Sequence, residues 1–243
     1  ATKTGETWGI DKGPFYWPVS DKIQFFAYSP ISAVTKYTAT TGYPSFDYTV
    51  KVADSQEDLL AAKAENQTKA LNSTGGVTLT FQHILTQINF SAEFVEANAT
   101  YSVSKIEIVG VKSQGTFSYI AGNDKVGSWV EGSDTDNYEY AADYNATAVN
   151  KIVDFSTDSN ALMLLPQTLP ATAKIQVTYE ASVGGTTTFD GIKEVAITGT
   201  WGVGQKIRYT LKLASDAAEV KLVPSVGNWD DPETATPVTP LKP

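Results

Sequence analysis

The chain of 243 residues contains no cysteine and a single histidine, His83. Without cysteine there is neither a disulfide framework nor a thiolate metal site, and one histidine is too few for a histidine-rich zinc site. Clustered basic residues are missing as well. The formal net charge is -9, whereas a phosphate-binding groove needs grouped Lys and Arg, so no nucleic-acid partner is expected. The acidity reads as a solubility device. No apolar run reaches the ~20 residues that a membrane-crossing helix requires. The first residue is Ala1, with no initiator Met and no basic or apolar leader after it, which fits either a removed leader or an engineered chain.

Motifs that carry chemistry are equally scarce. His83 lies between Phe81 and Ile84, where a histidine reads as a core or interface residue rather than a general base, and no Gly-x-Ser-x-Gly elbow accompanies it. The glycines Gly199, Gly202 and Gly204 lack Walker spacing and precede a strand pattern, which makes them a turn. Asp134, Asp136, Asn137 and Glu139 could offer oxygen ligands to calcium, but the EF-hand glycine and closing glutamate are absent, so a solvated loop is the better reading. Opposed carboxylates for glycoside hydrolysis cannot be singled out among 27 acidic residues. No enzyme activity and no cofactor are expected.

What the chain does have is strands. Phe46, Tyr48, Val50 and Val52 alternate with polar residues, as do Ala173, Ile175, Val177 and Tyr179, and Ile207, Tyr209, Leu211 and Leu213. A period of two with one apolar face is the pattern of antiparallel sheets, and the fold class is all-β. Gly184-Gly185 predicts a tight hairpin. The denser apolar runs Ile23 to Tyr28 and Ala161 to Leu165 predict strands buried on both faces. One short helix is expected near residues 55–65, where Ser55 and Asp58 resemble a capping box ahead of Leu59-Leu60-Ala61-Ala62-Lys63-Ala64-Glu65.

Between Val77 and Phe94 the apolar parity flips, with Val77, Leu79, Phe81 and His83 on one phase and Ile84, Ile88, Phe90, Ala92 and Phe94 on the other. Such a flip marks a bulge or a passage from one core to another. The division read from it is an N-terminal β-sandwich over residues 1–78, expected to lack its first strands, and a C-terminal β-sandwich over residues 79–231. A proline-rich tail follows at residues 232–243. Among surface candidates, Tyr16 and Trp17 are bracketed by prolines, and Tyr37 and Tyr43 sit in a Thr-rich stretch. Together they could form an exposed aromatic patch for stacking sugars, or simply a core edge.

The motif series resembles the fimbrillin-like (Mfa-like) proteins of Bacteroidales. Tyr16-Trp17-Pro18, Phe25-Phe26-Ala27-Tyr28-Ser29-Pro30 and Asp58-Leu59-Leu60-Ala61-Ala62 open it. Leu79 through Phe90, Leu164-Leu165-Pro166-Gln167-Thr168, Trp201 through Gly204, Arg208 through Leu211 and Trp229-Asp230 follow in order. The resemblance implies two transthyretin-like β-sandwich domains and a structural subunit or tip adhesin of a surface fimbria. It also implies export through a lipidated precursor attached at the outer membrane. Its partners would be other fimbrial subunits, with a host protein or glycan as receptor. In polymerising members a strand of one subunit fills a groove in the next, an instance of strand addition. Two departures stand out: the segment before Trp8 is short, and the lipoprotein cysteine is absent. A polymerisation strand is sought at Val220, Leu222, Val226 and Trp229, with Val238 and Leu241 as further anchors. A surface glycan-binding lipoprotein associated with polysaccharide uptake is the alternative reading. A hydrolase carried on a sandwich is the third.

Overall fold

The structure, a computed structural model, describes residues 2–4, 7–9, 15–39, 42–73, 76–96, 98–122, 125–147, 152–155, 160–216, 220–229 and 236–237. Strands β1 (Thr2–Thr4) and β2 (Thr7–Gly9) pair with each other. They are followed by β3 (Ile23–Ser29), β4 (Val34–Thr38), β5 (Ser45–Thr49), β6 (Leu60–Gln67) and β7 (Gln82–His83). Next come β8 (Thr86–Phe94), β9 (Ala99–Lys112), β10 (Gln114–Tyr119), β11 (Gly127–Glu131), β12 (Thr135–Thr147) and β13 (Ile152–Asp154). The C-terminal third holds β14 (Leu162–Leu164), β15 (Gln167–Thr168), β16 (Lys174–Val183), β17 (Thr186–Ala196) and β18 (Thr200–Trp201). It ends with β19 (Gln205–Leu213), β20 (Lys221–Asn228) and β21 (Thr236–Pro237).

Four sheets carry the architecture. In the first sandwich the sheet β3-β6-β7 faces the sheet β4-β5-β10-β11. The layers meet through rings: Phe26 packs on Tyr119 at 5.0 Å between centroids, and Tyr28 on Phe46 at 5.2 Å. In the second sandwich β12-β9-β16-β17 faces the sheet built on β13-β8-β19-β20-β21, to which β14 is added. Phe90 against Tyr140 and Phe94 against Tyr101 join these layers. The pairing is antiparallel except between β8 and β19, which run parallel. A parallel pair needs a crossover, and here the long path from Phe94 to Gln205 passes through the opposite sheet.

The hairpin β10–β11 belongs to the first sandwich, although β9 before it and β12 after it pair with each other in the second. The sheet β4-β5-β10-β11 therefore draws strands from both sides of residue 79. The chain crosses out at Ser113 and back at Asp134, where Ser113 N donates to Asp134 O at 3.1 Å. Gln167 secures the crossing. Its amide, 2 % exposed, takes Lys112 N at 2.7 Å on Oε1 and donates from Nε2 to Lys112 O at 3.2 Å and Leu165 O at 3.0 Å. A buried side-chain amide satisfied in this way replaces the backbone partners that a strand loses on leaving its sheet.

Most of the predicted alternation is present. Ala173, Ile175, Val177 and Tyr179 are buried, as are Ile207, Tyr209, Leu211 and Leu213. Gly184 and Gly185 have φ of 60° and 81°, the double positive φ of a tight hairpin turn between β16 and β17. At the parity flip, His83 ends a strand of the first sandwich and Thr86 begins one of the second, with Ile84 and Leu85 fully buried between.

Three expectations are corrected. Residues 55–65 are not a helix: a 3-10 turn covers Ala53–Ser55 and Leu60–Gln67 is a strand paired along β3. Helix propensity lost to tertiary context, because a strand here places Ala61 in the core beside Tyr28 and lets the small alanines fit under aromatic neighbours. The capping partner is also diverted, since Asp58 Oδ2 binds His83 Nδ1 at 2.7 Å. Val52 does not continue the buried face of Phe46, Tyr48 and Val50; β5 ends at Thr49 and Val52 is exposed. Finally, Ile23 to Tyr28 is half-buried rather than enclosed on both faces, because β3 is an edge strand.

Two outcomes are expected in chemical denaturation. Gln167→Leu strips Lys112 of its buried partners and should cost about 1–3 kcal/mol for each group left unpaired. Gly127→Ala places a Cβ 2.3 Å from Phe117 Cζ and 2.5 Å from Ser118 O, so it should destabilise by about 1–3 kcal/mol through overpacking.

Candidate functional site

The sheet edges are the surfaces through which an all-β chain meets another chain, since each presents unpaired N–H and C=O groups. Most edges here are blunted. Strand β4 is exposed and carries Lys36. Strand β17 carries Asp190 and Glu194, and its inward-facing Lys193 lies 4.7 Å over the Phe189 ring. Strand β12 contains Asp136 and Glu139 and is broken by two register shifts. Strand β20 contains Lys221 and Pro224, and β11 ends in Glu131. Charge, proline and irregularity are the usual means of discouraging strand pairing.

Strand β3 has neither charge nor proline, and the one register shift in its pairing, between Ile23 and Phe25, has its extra residue on β6 rather than on β3. Its seven residues, Ile23-Gln24-Phe25-Phe26-Ala27-Tyr28-Ser29, include no charge and no proline. One side pairs with β6 from Ile23↔Gln67 to Ser29↔Leu60, and no described strand pairs with the other. Phe26 and Tyr28 point into the sandwich, while Phe25 points outward and meets Trp17 edge-on at 6.2 Å.

The four aromatic candidates do not make one platform. Tyr16 is 83 % exposed, and Trp17 is half-buried against Phe25 on the outer side of β3. Tyr37 and Tyr43 belong to the inner side, the first stacked on Tyr28 at 5.9 Å and the second edge-on to Phe26 at 5.6 Å. Tyr43 donates its hydroxyl to Glu65, which also pairs with Lys63 Nζ at 3.1 Å. The bond to Glu65, then burial, raises the Tyr43 phenol, and the same bond holds the Glu65 carboxyl below its ordinary value. Lys63 in turn donates to Ile120 O and Gly122 O. These polar groups fasten the β10–β11 hairpin to β6.

Val220, Leu222, Val226 and Trp229 are placed along and beside β20, which pairs with β19 through Leu211↔Leu222 and Ile207↔Val226. Val220 is buried; Leu222, Val226 and Trp229 are half-buried. The far side of β20 is paired at Ser225↔Pro237 and Val226↔Thr236. Val238 and Leu241 lie outside the described residues. The acidic stretch is not a loop but, from Thr135, the start of β12, where pairing with β9 orders it, and it is used structurally: Asp134 Oδ2 accepts from Gln114 Nε2 at 2.5 Å, and Asn137 Oδ1 from Gly110 N at 3.0 Å. Among the described residues no group of three or more His, Asp or Glu side chains is arranged to hold a metal ion.

His83 sits in a polar cluster that strand reasoning did not anticipate. Besides Asp58, its ring stacks on Trp229 at 4.3 Å and an interplanar angle of 4°. Burial raises the Asp58 carboxyl, with the charge and hydrogen bond of His83 pulling the other way. The nearby Tyr48 phenol is pushed up to about 12, chiefly by burial and then by the charges of Asp58 and Glu57. The pairing could not be read from sequence because Asp58, His83 and Trp229 lie on three separate segments.

No curated protein matches the chain. Among solved structures it resembles a fimbrial protein from Bacteroides vulgatus, with a TM-score of 0.69 and 18% identity over 93% of this chain and 83% of that one. It also resembles a candidate cell adhesion protein from Bacteroides uniformis, with a TM-score of 0.51 and 21% identity over 88% of this chain and 76% of that one. At such identities the likeness is one of fold. The sequence model of the fimbrillin-like family matches residues 1–229. With sandwiches, strand edges and motif series in agreement, the chain belongs to the fimbrillin-like family.

Proposed function

We propose that this chain is a structural subunit or tip adhesin of a bacterial surface fimbria, exported through a lipidated precursor and assembled by strand addition between copies. The observation that carries the reading is the bare edge of β3, seven residues without charge or proline in a molecule whose other long edges are guarded. An incoming strand would gain backbone hydrogen bonds along Ile23 to Ser29, and its alternate side chains would meet either the aromatic interior or the Trp17–Phe25 surface. Family membership supports the same reading, since the family is named for fimbrial proteins. The glycan-binding alternative draws less support, because Trp17 and Tyr43 lie on opposite sides of β3.

The test is to place a charge on this edge. Phe25→Lys, in the otherwise unchanged full chain, should abolish or strongly reduce heat-sensitive oligomers in gel electrophoresis and size-exclusion chromatography. Its circular dichroism should remain that of a folded β protein, because Phe25 is only half-buried. Unchanged assembly in a folded Phe25→Lys chain would remove β3 as the acceptor edge.

A further inference from the structure

We propose that Asp58, His83 and Trp229 form a proton-controlled clasp that pins the end of strand β20 to the first sandwich. The three residues come from separate parts of the fold. Asp58 precedes β6, His83 ends β7, and Trp229 follows β20 in the second sandwich. His83 Nδ1 lies 2.7 Å from Asp58 Oδ2, and the ring lies parallel to the Trp229 indole at 4.3 Å. Around this stack, Trp229 N donates to Gly204 O at 3.0 Å and Gly204 N donates to Leu85 O at 3.0 Å. The end of β20 is thus tied, through the turn before β19, to the segment that joins the two sandwiches.

The chemistry of the contact depends on one proton. Protonated His83 places a cation between a carboxylate and the face of an indole, so an ion pair and a cation–π contact act together. Neutral His83 keeps a hydrogen bond to Asp58 but loses both charge terms. Asp58 needs the counter-charge: among the described residues its other oxygen, Oδ1, is buried without a hydrogen-bond partner. The other carboxylate of that run, Glu57, is ion-paired to Lys51 at 2.8 Å. The turn Gly202-Val203-Gly204-Gln205 carries no charge, Lys206 is the first charged residue beyond it, and β20 ends at Asn228, with Trp229 next.

Strand β20 is suited to respond. No residue from Lys221 to Asn228 is fully buried, and its outer side is paired only at Ser225 and Val226 among the described residues. Both charge terms exist only while the imidazole carries its second proton, so closure is favoured where His83 is protonated and weakened where it is neutral. Protonation of Asp58 removes the carboxylate partner, and because burial raises that carboxyl the loss sets in above the ordinary carboxylate range as pH falls.

The clasp is independent of strand addition at β3 and is tested on monomeric full-length chain by hydrogen exchange of the peptide covering residues 221–229. Measurements run from about pH 5 to about pH 8, corrected for intrinsic exchange, while the resonance of the single histidine reports its protonation. Protection should fall about fivefold as His83 loses its proton, the size of a partly exposed cation–π contact with an ion pair. His83→Gln should abolish that pH dependence, and Trp229→Phe, which keeps a ring, should retain more protection than Trp229→Ala. Should Trp229→Ala fail to fold, His83→Gln decides alone. Protection of β20 that does not follow the histidine titration, or that follows it equally in His83→Gln, would overturn the clasp, whatever the oligomers formed at β3.

Discussion

The crossing at Ser113 and Asp134 is the constraint on which the two sandwiches depend. Without the hairpin it delivers, β4 and β5 would be a two-stranded ribbon, which is at best marginally stable in water. With it, Phe117 and Tyr119 enter the first core, and Trp129 donates from Nε1 to Ile84 O at 2.7 Å. The segment joining the sandwiches is thereby held by β11, the outer strand of that hairpin. Buried apolar residues of both sandwiches form one continuous cluster. Burial of aromatic side chains at this density is the main favourable term, and the crossing directs it.

Satisfying the backbone at such a crossing demands buried polar groups, and the chain provides them sparingly. Gln167 does for Lys112 what a neighbouring strand would have done. Trp201 donates to Tyr209 at 2.9 Å inside the second core, where burial pushes the Tyr209 phenol up to about 12. Two residues of the family-like motifs, Gln167 and Trp201, therefore act by supplying hydrogen bonds where the fold would otherwise leave polar groups unpaired. The edges follow the opposite logic. Lys, Asp, Glu and Pro discourage pairing wherever a long edge is exposed, and the unguarded stretch of β3 stands out because the rest is guarded.

Much of the fold was legible in the sequence where a strand has one face in a core. The alternation through Ile175 and Tyr179, and through Ile207 and Leu211, needs only a period of two and local turn chemistry. Residues 55–65 misled because alanine, leucine and lysine favour a helix in isolation, while pairing with β3 and burial of Leu59, Ala61 and Ala62 favour a strand. Ile23 to Tyr28 misled for a related reason. Apolar density measures how much a strand could bury, whereas its edge position determines how much it does bury. The candidate surfaces were less legible, since the packing of Trp17 and Tyr43 on opposite sides of β3 depends on contacts between separate segments.

By itself the sequence determined the all-β class, the lack of any cysteine for thiolate chemistry, and the inward face of the regular strands. These depend on composition and nearest-neighbour periodicity. Only the tertiary structure decided which strands share a sheet, that β10 and β11 complete the first sandwich, that β3 lies at an edge among the described strands, and that His83 meets Asp58 and Trp229. Each of these is a pairing between residues distant in the chain. Periodicity says which way a side chain points, but only competition among all strands for hydrogen-bond partners says what it points at.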